Sequence, residues 1–106
     1  MTIDNMNELK SLVKQTLGIV DSATAKDGEL ELLITAGVED MTRAGALVDT
    51  TDALVQKAIL TYVKANFGVS NPTDKERFLK SYQLCLAELT LSEGYKEAEV
   101  DAGLDN

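Results

Sequence analysis

The chain has no histidine and no tryptophan, and only one cysteine (Cys85) and one proline (Pro72) in 106 residues. Without histidine, the commonest general base and metal ligand is missing. A lone cysteine makes no internal disulfide, no cysteine–histidine pair and no cysteine-rich zinc site, and it suits a reducing compartment. Aromatics are only 5% of the chain, so the core is expected to consist mainly of Leu, Val, Ile and Ala. No apolar run approaches the ~20 residues that a membrane helix requires. The opening Met1-Thr2-Ile3-Asp4-Asn5 lacks the basic start and apolar stretch of a secretory signal. Positive charge is scarce too, with 10 Lys and Arg against 18 Asp and Glu, a net charge of −8. Affinity for nucleic acid comes from Lys and Arg neutralising phosphates, so DNA or RNA binding is disfavoured as a primary function. The same field repels an anionic membrane. The expectation is one soluble domain that stays in the cytoplasm where it is made.

What the chain does contain is helical periodicity, in four segments. The first runs from about Met6 to Leu17, with Met6, Leu9, Val13 and Leu17 at three- and four-residue steps. Asp4 or Asn5 is placed to cap it, and Gly18 to end it. After a polar connection, 19–27, the second carries Leu30, Leu33, Ile34, Gly37, Val38, Met41 and Ala44 on one face, with Gly45 as its stop. Its other face holds Glu29, Thr35, Glu39, Asp40 and Arg43, an amphipathic pattern. The third is expected from about Asp52 to Phe67, the fourth from a capping box at Thr73 and Glu76, with Glu76–Lys80 as an i,i+4 pair. Ile59, Tyr62, Phe78 and Leu86 are the residues expected to be buried where these two helices pack. Gly37 lies on a buried stripe although glycine costs a helix about 1 kcal/mol relative to Ala, which predicts close approach by a neighbouring helix. The fold class is therefore all-α: a four-helix domain over residues 1–92. Residues 93–106 hold five acidic residues and one lysine, too little apolar surface to offset ordering, and read as a mobile acidic tail.

The candidate chemistry is sparse. Cys85 falls on the apolar stripe of the fourth helix, as a small buried hydrophobe would. Glu29, Glu31, Glu39 and Asp40 read as a solvated helix face. There is no glycine-rich phosphate loop and no calcium-loop pattern. The expectation is no catalytic residue, no cofactor and no metal. Asp21-Ser22-Ala23 matches two of the three residues of the Asp-Ser-Leu motif of acyl carrier proteins, which are also small, acidic and four-helical. An acyl-carrier-like protein modified at Ser22 is thus one alternative, and an acidic helical interaction module of a host is another. Leu32, Leu60 and Leu84 fall off the main stripes and, with Tyr95 in the tail, are candidate partner-interface residues.

Several blocks in order carry a resemblance: Leu9-Lys10-Ser11-Leu12-Val13-Lys14, then Asp27-Gly28-Glu29-Leu30-Glu31-Leu32-Leu33-Ile34, then 58–68 (AILTYVKANFG). Asn71-Pro72, Glu76-Arg77-Phe78, Ser81-Tyr82 and Leu89-Thr90-Leu91-Ser92 follow. Over residues 9 to 92 the chain resembles the head–tail connector proteins, often labelled DNA-packaging proteins, of long-tailed phages and prophages of Gram-positive bacteria. The resemblance implies a viral structural protein that acts by assembling. It implies a homo-oligomeric ring, of about twelve subunits if it follows the portal's symmetry, seated beneath the portal. Such a ring binds the portal and the tail or head-completion proteins and lets DNA pass through its centre. The localisation implied is the head–tail interface of the virion, with host cytoplasm during assembly.

Overall fold

The structure, a computed structural model, describes residues 3–68 and 71–91. It contains four helices: α1 (Met6–Leu17), α2 (Asp27–Arg43), α3 (Ala53–Asn66) and α4 (Pro72–Leu91). The all-α expectation is met. The acidic tail lies outside the described residues.

The helix ends follow from local chemistry. Gly18 and Gly45 take left-handed backbone, with φ of 77° and 100°, where a side chain would be strained. Each lets the chain fold back and satisfy the last carbonyls. Ile19 N donates to Lys14 O and Gly18 N to Gln15 O, and Ala46 N donates to Met41 O and Gly45 N to Thr42 O. Both ends have the paired bonds of a Schellman motif. At α3 the Asp52 carboxylate accepts from the amides of Leu54 and Val55 at 3.0 and 3.2 Å, as an N-cap should.

Two caps differ from the sequence expectation. Asn5 precedes α1 but makes no side-chain cap. Its amide donates to Thr50 O at 2.9 Å while its oxygen accepts from the Thr50 hydroxyl at 2.7 Å, so it ties the chain's start to the α2–α3 loop. At α4 the Asn71 side-chain oxygen accepts from the amides of Thr73 and Asp74, with Pro72 as the first helical residue. Asn71 is thus the cap, and Thr73 already lies inside the helix. Proline suits the first helical position because its missing N–H would have had no partner there. The ion pair in this turn is Asp74–Arg77, at 3.2 Å.

α3 is the helix that the other three share. Its Val55, Ala58, Ile59 and Val63 are wholly buried, and Leu9, Leu30, Ile34, Met41 and Leu89 close around them. α4 packs chiefly on α3, so only a narrow stripe of it is covered: Tyr82, Cys85 and Leu89. This corrects part of the expected core. Ile59 is fully buried, but Tyr62, Phe78 and Leu86 are only partly so. Phe78 lies near the start of α4 beneath the cations of Lys64 and Arg77, 4.9 and 5.3 Å from its ring centre. The close approach at Gly37 is as expected. A methyl group there would sit 3.0 Å from Cδ1 of Tyr62. The Tyr62 ring in turn stands edge-on to Tyr82 with centroids 5.2 Å apart, so it has little room to yield.

Two substitutions test this packing by urea denaturation. Ile59→Ala leaves a hole in a closed core and is expected to cost ~2–5 kcal/mol. Gly37→Leu must displace Tyr62 and is expected to cost ~1–3 kcal/mol or more. A Gly37→Leu variant as stable as the parent would show that the helices part there without strain.

Candidate interaction surface

A charged cluster holds α1 against α2. Lys14 is buried, and its Nζ lies 3.0 Å from Asp21 O, 2.8 Å from Ala23 O and 2.8 Å from Asp27 Oδ1. Two of the ammonium's three protons go to the backbone carbonyls, and the Asp27 carboxylate balances its charge beside them. Lys10 Nζ completes the cluster, 2.6 Å from Glu31 and 3.7 Å from Asp27. Lys14 first and Lys10 after it hold the Asp27 carboxyl below its ordinary range. This cluster is structural, and the sequence concealed it because two of the acceptors on Lys14 are backbone carbonyls. It also fixes the turn carrying Ser22, which is exposed in the loop ahead of α2 rather than at the helix start. Among the described residues no group of three or more His, Cys, Asp or Glu is arranged to hold a metal ion. No helix among them is long and apolar enough to cross a membrane.

Asp40, expected on the solvated face of α2, instead accepts from the Tyr82 hydroxyl at 2.5 Å. Burial first, and the Asp40 carboxylate after it, push the Tyr82 phenol above its ordinary value of 10.0. This joins α2 to α4 at the edge of the core.

Apolar groups meet solvent at Val20 and Leu47 in the loops and on the outer faces of two helices. A helix turns roughly 100° per residue, which places Leu32 directly opposite the buried stripe of α2, and Leu84 and Leu91 on the far side of α4 from Tyr82 and Leu89. All three are open, at 68%, 66% and 75% exposure. Around Leu32 the α2 face carries Gly28, Glu29, Ala36, Glu39 and Arg43. Around Leu84 the α4 face carries Arg77, Lys80, Ser81, Ala87 and Glu88. Small residues beside each leucine leave it standing proud. Of the other candidates, Leu60 is partly buried and packs against the core, and Tyr95 lies outside the described residues. Leu91 was not singled out from the sequence, though its seven-residue spacing from Leu84 was a signal for it.

A helical domain with open leucines can dock, and the family it matches says in which setting. The family model described as phage connector protein matches residues 9–96. The chain belongs to the phage connector family. No curated protein and no solved structure matches it. The connector is thus a virion component that takes part in phage assembly, and residues 9–96 span all four helices almost completely.

The Tyr82–Asp40 contact has a consequence for pH. The folded connector keeps the phenol protonated where the unfolded chain releases it. Stability from this group is therefore complete below about pH 10 and is lost as pH rises beyond it. Tyr82→Phe is expected to cost about 1–2 kcal/mol near neutrality, because the partly exposed Asp40 regains water. It should also lose less stability than the parent between about pH 8 and pH 11 by urea titration. Equal losses in both would contradict the assignment.

Proposed function

We propose that the connector forms a ring beneath the portal vertex and bridges the filled head to the tail. The family match over residues 9–96 carries this reading. The chemistry of the chain supports it. A subunit in a ring works by presenting surfaces, and the open leucines of α2 and α4 are surfaces of that kind. A net charge of −8 repels duplex DNA and limits phosphate contacts, which suits a channel through which DNA must slide. A ring on a portal is cyclic, so each contact joins one face of a subunit to a different face of its neighbour.

The acidic segment 93–106 is read as a portal- or neighbour-binding tail with Tyr95 as its anchor, since aromatics are enriched at interface cores. A chain ending at Ser92 that still assembles on the portal would dismiss that role.

The central test is electron microscopy of the full chain mixed with its cognate portal. The expected outcome is added ring density on the portal. A portal that stays bare at high connector concentration would sink the proposal.

A further inference from the structure

The ring reading leaves open which faces of the connector meet, and the structure carries that question further. We infer that the outer face of α2 on one subunit docks against the outer face of α4 on the next copy of the same chain. The inference rests on the ring reading above and adds the pair of surfaces.

Two faces of one chain are complementary in shape class and in charge. Each centres on a leucine turned out to solvent, Leu32 on α2 and Leu84 on α4, both about two-thirds exposed. Each leucine is bordered by small residues, Gly28 and Ala36 on one face, Ser81 and Ala87 on the other, so a facing helix can approach closely. Leu91 extends the α4 face by two turns, roughly 10 Å.

The charges differ in sign. The α2 face leads with Glu29 and closes with Glu39 and Arg43, one turn apart. The α4 face leads with Arg77 and Lys80 and continues to Glu88. Helices laid side by side in the same direction therefore bring acid-first against base-first. In a chain of net charge −8 the start of α4 gathers exposed cations, with Asp74 and Glu76 among them and Asp74 paired to Arg77. Lys64 and Arg77 flank Phe78, and Lys75 and Lys80 are exposed beside them. An acidic helix of a second copy fits that surface. Duplex DNA would answer to the cations but would leave Leu84 and Leu91 unused.

The two faces lie on different helices, each turned away from α3. The contact is then heterologous, the kind that propagates from copy to copy and closes into a ring.

Cysteine cross-linking of the full chain on its portal tests the pairing. Cys85 is buried, and burial pushes its thiol up, so it stays out of the reaction. With Leu32→Cys and Leu84→Cys in one chain, oxidation should give a ladder of covalent multimers. The two single variants mixed together should stop at dimers. Arg77→Glu with Lys80→Glu should weaken assembly about tenfold or more. Adding Glu29→Lys to the same chain should restore it in part, which a merely misfolded variant would not allow. Ring density on the portal without the 32–84 ladder would overturn the inference while sparing the ring reading. So would Leu84→Cys alone giving efficient dimers, or Arg77→Glu/Lys80→Glu losing duplex DNA binding with assembly unchanged. A bare portal with the parent chain would overturn both.

Discussion

The structure depends on burying α3. A chain with few aromatics and no tryptophan must build its interior from side chains that each contribute only ~1.5–3 kcal/mol on full burial. It does so by placing one helix where α1, α2 and α4 all reach it. Val55, Ala58, Ile59 and Val63 lose all contact with water, and their β-branched or small shapes let three neighbours come close. The arrangement spends the apolar stripes of α1, α2 and α4 on a single helix. It leaves the opposite sides of α2 and α4 uncovered, and those sides are not wholly polar.

One chain of contacts crosses the domain and sets the spacing of its layers. Gly37 of α2 admits the ring of Tyr62 of α3, Tyr62 meets Tyr82 of α4 edge-on, and the Tyr82 hydroxyl returns to Asp40 of α2. Three helices are thereby referenced to one another through two rings and one hydrogen bond. Edge-to-face aromatic pairs add about 0.5–1.5 kcal/mol beyond their area, and the accepting carboxylate makes the hydrogen bond one of the stronger kinds. By contrast, the exposed pairs Lys26–Glu29 and Asp74–Arg77 are worth little, because water screens them. The faces of α2 and α4 that look outward are held in fixed relation by this chain, which is what an assembling subunit requires.

Much of the fold was legible in the sequence because periodicity and glycine stops are local signals. The four helices, the turns at Gly18 and Gly45 and the tight approach at Gly37 all follow from such signals. The misreadings involve partners distant in the chain or offset by a turn. Asn5 looked like a cap but spends its side chain on Thr50, 45 residues on. Thr73 fits a capping box, yet Asn71 precedes the proline and takes the cap first. Asp40 sits in a polar pattern that gave no sign of Tyr82. Lys14 is charged and still buried, because backbone carbonyls in a turn supply two of its acceptors. For the surface, Leu32 and Leu84 stood out as leucines off the stripe, whereas Leu60 in the same class is partly covered, since α3 is enclosed on more sides than its neighbours.

The net charge bears on how such a subunit can carry open leucines without associating at random. Copies that each carry −8 repel one another at range, and the repulsion extends over a Debye length of about 8 Å at physiological salt. Leucines on α2 and α4 attract only in contact, so encounters in dilute solution are opposed before the apolar groups can meet. Holding two copies side by side on a common partner changes the balance, because the second contact then forms at the high effective concentration of a tethered reaction. At contact distance it is the local charges that count rather than the total. Glu29 facing Arg77 and Lys80 attracts even though the chains as wholes do not. An acidic chain with exposed cations at the start of α4 is therefore suited to staying dispersed until a template brings its faces together, and its composition and its surface then serve the same end.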